Sequence, residues 1–285
     1  MNIYSFGKKD TAFASGLLDD VSVSFIGQPG YYTLAAVDGD NDPIGVLQAY
    51  IGKDKNYGII CKIVYVFVVP DERENGVASE MMDELMGIFK ETGINICEVA
   101  IPENDEAEVV KYVFSTYGFV FDEKDEYPYY EIPVGKFLEV SALTKGKTSD
   151  ILPLKAISRR EFKYLIGEII RHDSDDVLTD EISLEPEGWE QDVSSFFVSE
   201  KGGGAFLLRK KSKDVLEPKY LSAFGRDMNL NILGLMAFSA KAAGVKYSPD
   251  TKFFISAKRA SVRELIGKLC PGVTPKKMII GRMGG

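Results

Sequence analysis

The 285-residue sequence predicts an α/β protein: a mixed sheet flanked by helices, followed by a second domain of similar architecture. Three observations lead there. Short apolar runs with strand character alternate with helical stretches along the first half, as in layered sheet-and-helix folds. Ile59–Val69 is a long Val/Ile-rich run, the mark of a strand buried on both faces. The order of strands and helices after residue 150 repeats that of the first half, a duplication of architecture without evident residue-level identity.

Ala12–Leu18 is a short apolar stretch, read as a helix over the sheet. Tyr31–Val37 and Ile44–Ile51 are strands of a hairpin, joined by the dense turn signal Asp38-Gly39-Asp40-Asn41-Asp42-Pro43. The strand at Ile59–Val69 stops at Pro70. From Val77 the pattern turns helical. Val77, Met81, Leu85 and Phe89 recur at four-residue spacing, and Gly93 is placed to end the helix. Ile94–Ile101 is the next strand, reached by a right-handed crossover. Asp105–Tyr117 is a second helix closed by Gly118, and Phe119–Asp122 with Tyr129–Val134 form a final strand pair. Residues 135–150 read as a linker. The domains are therefore 1–136 and 151–285, with 137–150 as the linker between them.

In the second half, Ser158–Ile170 is an amphipathic helix. Ser195–Ser199 and Ala205–Lys210 form a hairpin with Gly202-Gly203-Gly204 at its turn. Tyr220–Phe224, Thr251–Ala257 and Lys277–Gly281 are strands; Asn231–Ala243 and Ser261–Cys270 are helices.

The composition, 45% hydrophobic and 27% charged, excludes a disordered chain, a collagen-like repeat or a disulfide scaffold. Cys61, Cys97 and Cys270 are too few and too scattered for a disulfide framework or a zinc site, which points to a reducing cytoplasm. No apolar run is long enough for a membrane span, and the first nine residues lack a signal-peptide pattern. One histidine, His172, leaves no material for a Ser-His-Asp mechanism, and no metal site is expected. Charge is uneven. Residues 1–150 hold 12 basic and 26 acidic residues, while 201–285 hold 17 basic and 5 acidic. The acidic half argues against nucleic acid and suits a cationic amine. The basic stretch fits a solvated face, an interface against the acidic half or a polyanion site.

One segment carries chemistry. Pro70-Asp71-Glu72-Arg73-Glu74-Asn75-Gly76-Val77-Ala78-Ser79 joins the buried strand to the first long helix. A tight Gly-containing turn opening a helix leaves backbone N–H groups unpaired at the positive end of the helix dipole. That is a cradle for phosphate or diphosphate. Gly76 permits close approach of a ligand to the backbone, and Ala78 keeps the next turn small.

Arg73-x-x-Gly76-x-Ala78 resembles the Q/R-x-x-G-x-G/A acyl-CoA loop of the GNAT superfamily of N-acyltransferases. Val66-Phe67-Val68-Val69-Pro70 resembles that family's fourth strand, and Tyr117-Gly118-Phe119 is similar to its Gly-Phe signature. The resemblance covers roughly residues 1–136. It implies a GNAT-like acyl-CoA-binding domain, with acetyl-CoA as co-substrate and direct attack by a small-molecule or peptide amine. The backbone of Asn75, Gly76, Val77 and Ala78 would hold the diphosphate, with Arg73 at the loop entrance and Ser79 adding a hydroxyl. The backbone of Val66, Phe67 and Val68 would bond the pantetheine arm, where the strand splays from its neighbour.

The sequence departs from the family pattern at the general acid. The family places a Tyr four residues before the Gly of Gly-Phe; here that residue is Phe114. Tyr117 is three positions on, about 60° away around a helix, and is the better substitute; Tyr112 faces largely opposite. Glu98 on the next strand is a candidate base, beside Tyr65 and Cys61. Strand alternation puts Cys61, Ile63, Tyr65 and Phe67 on one face. The second half lacks the loop: its counterpart is Gly225-Arg226-Asp227-Met228-Asn229-Leu230-Asn231. The resemblance makes it a degenerate GNAT-like copy. The alternative to a transferase is a non-catalytic acyl-CoA-binding or interaction protein on the same scaffold.

Overall fold

The computed structural model describes residues 1–14, 16–18, 20–54, 57–146, 149–172, 186–199 and 202–284. The chain divides into two compact units, Met1–Tyr127 with Lys277–Gly285, and Pro128–Lys276.

The first unit runs β1 (Asn2–Ser5), α1 (Thr11–Ala14), α2 (Asp20–Ser24), β2 (Tyr31–Val37), β3 (Pro43–Asp54), β4 (Gly58–Val68), α3 (Val77–Thr92), β5 (Ile96–Pro102), α4 (Ala107–Thr116) and β6 (Val120–Phe121). β1 to β4 pair antiparallel in sequence order. β4 and β5 pair in parallel, since a helix joins them. The apolar stripe of α3 lays Val77, Met81, Met82, Leu85 and Phe89 on the sheet, over Leu47, Cys61, Cys97 and Ile101. Gly93 closes α3 at φ 65°, in the left-handed region open to glycine. On the opposite face Ala14, Leu17, Leu18 and Ile26 cover Val46, Tyr65 and Phe67. The expected N-terminal helix is thus present, in shorter form.

The second unit contains β7 (Tyr127–Pro133), α5 (Val134–Leu138), β8 (Leu152–Pro153), α6 (Arg159–His172), β9 (Ser195–Ser199), β10 (Gly202–Ser212), β11 (Val215–Gly225), α7 (Met228–Lys246), β12 (Lys252–Ser256) and α8 (Ala260–Leu269). β8 to β11 pair antiparallel in order, β11 pairs β12 in parallel, and β12 pairs β7 antiparallel. The last strand of the chain, β13 (Lys276–Gly284), returns to the first unit. There it pairs antiparallel with β5 and β6.

This division corrects three expectations. Tyr129–Val134 does not complete the first unit's sheet beside Phe119–Asp122. β7 pairs instead with β12, Tyr129 opposite Ser256 and Ile132 opposite Phe253, and β6 pairs with β13. The domain boundary accordingly falls at Tyr127 rather than at 136, and the last strand belongs to the first unit. Residues 135–150 are not a spacer in the part described: Val134, Phe137 and Leu143 are buried in the second unit's core, while Lys147 and Thr148 lie outside the described residues. Third, Gly202, Gly203 and Gly204 are inside β10, paired on both sides, not in the turn. A Cβ on Gly204 would stand 2.7 Å from the Ser222 carbonyl and 2.8 Å from the Phe197 ring, so glycine is needed for close strand packing.

Candidate functional site

The ladder between β4 and β5 holds only from Ile60↔Ile96 to Ile63↔Val99. Beyond it β4 stays paired with β3, Tyr65↔Gln48 through Val68↔Gly45, while β5 continues to Pro102 against β13. The two strands therefore splay, as expected. The register of β3 and β4 slips between Gln48 and Ala49, which leaves Val64 as an extra residue on β4. Such a bulge bends the strand and ends pairing on its other side.

The bulge also overturns the simple alternation. Cys61 and Ile63 lie in the core under α3, but Tyr65 and Phe67 pack on the opposite face with Leu17, Leu18 and Ile26. The Tyr65 hydroxyl donates to the Leu17 carbonyl at 3.1 Å. Cys61 and Cys97 are register partners, both fully buried. The Cys61 thiol beside it, with burial, raises the Cys97 thiol well above its ordinary range. These are core residues rather than nucleophiles.

A cavity of about 160 Å³ occupies the splay, lined by Ile63, Val64, Tyr65 and Val66 from β4 and Val99 to Pro102 from β5. Asn104, Glu106, Val110 and Phe114 complete it. The sequence reading missed Asn104. Asn104 Oδ1 accepts the Glu106 amide at 3.0 Å, an Asx turn that opens α4. An Asn just after a strand and just before a helix was the available signal.

At one end of the splay lies the loop. Pro70–Glu72 form a 3-10 turn, and Glu74 and Gly76 adopt φ of 66° and 80°. The second requires little of glycine and much of any other residue. Glu80 N–H donates to the Gly76 carbonyl at 3.0 Å, the first bond of α3. Among the described residues the amides of Gly76, Val77, Ala78 and Ser79 have no backbone acceptor. A Cβ built on Gly76 meets nothing within 4 Å, so the space in front of the turn is open. The loop's side chains are tied locally: Asn75 Nδ2 donates to Glu72 at 3.3 Å, and Arg73 Nε to the Val68 carbonyl at 3.3 Å. Unpaired amides, an open left-handed turn and a free strand edge together fit a diphosphate joined to an extended amide-bearing arm. Arg73, Asn75, Gly76, Val77, Ala78 and Ser79 are brought together with Val66, Phe67 and Val68, though the Phe67 side chain packs on the far face.

The two catalytic candidates are not brought to the cavity lining. The Tyr117 hydroxyl donates to the Ser79 carbonyl at 2.8 Å. Burial, with the Asp83 carboxylate, raises its pKa, and the bond to Ser79 opposes the rise. At the lining position stands Phe114, 5% exposed and edge-on to Phe119. Glu98 is held by Arg282 on β13, which also reaches Asp125 at 2.6 Å. Neighbouring residues on a strand point to opposite faces, so Glu98 lies opposite the Val99 face that lines the core under α3.

In the second unit β11 also leaves β12 early, after Val215↔Lys252 and Leu216↔Phe253. Only Arg226 and Asp227 connect β11 to α7, against Val69 to Gly76 in the first unit. Asn231 closes this short link by donating to the Arg226 carbonyl at 2.9 Å. The splay persists there without the cradle.

A sheet with one parallel pair splayed over a glycine turn has counterparts among known proteins. Residues 6–111 match the acetyltransferase (GNAT) family. A tandem GNAT protein from the clavulanic acid biosynthesis pathway superposes with TM-score 0.66 at 10% identity, covering 99% of this chain and 98% of that one. The glucosamine N-acetyltransferase region of a fungal multi-domain GH3 β-N-acetylglucosaminidase gives 0.61 at 12% identity. That match covers 99% of this chain, which spans 38% of the fungal protein's length. A probable N-acyltransferase from Enterococcus faecalis V583 gives 0.50 at 15%, covering 98% of this chain and 72% of that one. No curated protein sequence matches. The chain has a GNAT-like fold, a mixed sheet flanked by helices, with a second unit of similar architecture. Among the described residues no helix is long and apolar enough to cross a membrane, and no group of three or more His, Cys, Asp or Glu could hold a metal ion.

Proposed function

We propose that the protein is an acyl-CoA-dependent N-acyltransferase that moves an acetyl group from acetyl-CoA to a primary amine. The observation that carries this reading is the open left-handed turn at Gly76, with four unpaired amides, at the end of the β4–β5 splay. When bound, the coenzyme would supply an activated thioester. The amides of Gly76 to Ser79 would take up diphosphate charge, helped by the α3 dipole. The β4 edge from Val66 to Val68 would pair with the amide-bearing arm. Val99, Ile101, Val110 and Phe114 would keep water from the cleft. Positioning and backbone polarisation supply most of the rate such a site needs. The 12 basic and 26 acidic residues of the first 150 favour a cationic acceptor, a small molecule or a peptide amine.

A second reading is acyl-CoA binding without transfer. Phe114 favours it, because the cavity wall holds a phenyl ring where the family pattern has a hydroxyl. Acetyl-CoA and CoA should each raise the thermal midpoint under both readings. Thiol release with a panel of primary amines separates them: turnover supports the transferase, and binding without turnover leaves the second. No shift with either ligand rejects both.

A further inference from the structure

Arg73 and Glu106 stand on opposite arms of the splay. Arg73 follows β4, and Glu106 follows β5 at the start of α4. Arg73 Nη1 lies 3.9 Å from Glu106 Oε1, while its Nε donates to the Val68 carbonyl at 3.3 Å. Glu106 itself lines the cavity, and its backbone is fixed by Asn104. One guanidinium therefore spans the mouth, bonded to the end of one arm and paired with the beginning of the other.

The charge around it is one-sided. Between Val64 and Val110 only Arg73 and Lys90 are basic, whereas Asp71, Glu72, Glu74, Glu80, Asp105 and Glu106 crowd the loop and the start of α4. A diphosphate entering the cradle finds Arg73 as the loop's one cation. To use it, the ligand must draw it from Glu106 and from the Val68 carbonyl, which the amide-bearing arm also needs.

We infer that Glu106 is a positioning residue that holds Arg73 as a latch across the cleft mouth, and that a diphosphate ligand opens it. This rests on the acyl-CoA reading above. The latch makes cofactor entry a competition between two anions for one guanidinium. Because both partners are exposed, 52% and 75% at the side chain, the effect is modest.

The test is CoA affinity by titration calorimetry on the full chain, with thermal midpoints recorded for each variant. Glu106→Gln should tighten CoA binding about two- to fivefold, the range an exposed ion pair supplies. Arg73→Gln should weaken it. In the Arg73→Gln background, adding Glu106→Gln should change nothing. Direct repulsion of the ligand by Glu106 would instead give the same gain in both backgrounds and overturn the latch. Equal or weaker CoA binding by Glu106→Gln with an unchanged midpoint also overturns it, leaving the acyl-CoA reading intact. Absence of CoA binding in wild type and every variant overturns both.

Discussion

Glu98 and Arg282 lie 184 residues apart in sequence and face each other across β5 and β13, with Arg282 Nε 2.9 Å from Glu98 Oε2. The pair ties the chain's last strand to the strand that forms one wall of the cavity. Its role follows from that placement. Glu98→Gln and Arg282→Gln should each destabilise the protein by about 1 kcal/mol, with the double variant costing less than the sum. Chemical denaturation measures this. A loss of amine-dependent thiol release in Glu98→Gln at unchanged stability would instead mark Glu98 as a base.

Gly76 tests the cradle. At φ 80° an alanine is strained by about 1–2 kcal/mol, but its methyl meets open space. Gly76→Asp adds a carboxylate to that same space. It should abolish the CoA-induced rise in thermal midpoint, while Gly76→Ala keeps part of it. Unchanged CoA affinity in the Asp variant would reject the cradle.

Phe114→Tyr puts a hydroxyl on the cavity wall. If the scaffold transfers acyl groups with a weakened acid, thiol release should rise by about 10-fold or more, measured at saturating acetyl-CoA. An unchanged rate with intact CoA binding favours the binding-protein reading.

Gly281 on β13 has no room for a side chain: a Cβ would stand 2.4 Å from the Phe121 ring on β6. Gly281→Val should therefore destabilise the first unit by about 1–3 kcal/mol and weaken CoA binding, although residue 281 does not line the cavity. Calorimetry with and without CoA reads both effects.

Asp192 in the second unit is clasped by Lys246 at 2.7 Å and Lys155 at 3.0 Å, and its pKa falls from 3.8 to about 2. The unfolded chain takes up this proton more readily. The stabilisation is full above the unfolded value and is lost as pH falls through about 4 toward 2. Asp192→Asn should flatten the acid end of the stability–pH curve over that window. The effect should stay under about 1 kcal/mol, because the carboxylate is exposed. A wild-type curve already flat there would contradict it.

The sequence made most of the first unit legible. Tyr31–Val37 is a strand with those limits, and the four-residue stripe from Val77 ends at Gly93 as read. The glycine turn was legible too, because a glycine between a buried strand and an amphipathic helix marks where one element ends and the next begins, and Gly76 adopts φ 80° there. What failed was what depends on partners distant in sequence. Alternation along β4 could not reveal the bulge at Val64, which exists only as a slip against β3. Helical spacing put Tyr117 near the Phe114 face, but the carbonyl of Ser79 on another helix takes its hydroxyl.

By itself, then, the sequence determined the local elements and the glycine turn that opens α3, since periodicity, glycine conformation and helix ends act over a few residues. Only the tertiary structure decided which strand completes which sheet. β7 and β13 have similar local character, and what separates them is long-range pairing: Ile132 with Phe253 in one unit, Ile279 with Ile101 in the other. The basic residues near the C-terminus likewise found their use only there, where Lys277 meets Glu126 and Arg282 meets Glu98 and Asp125. Backbone ladders and ion pairs between segments so far apart are set by the folded geometry, not by their neighbours in the chain.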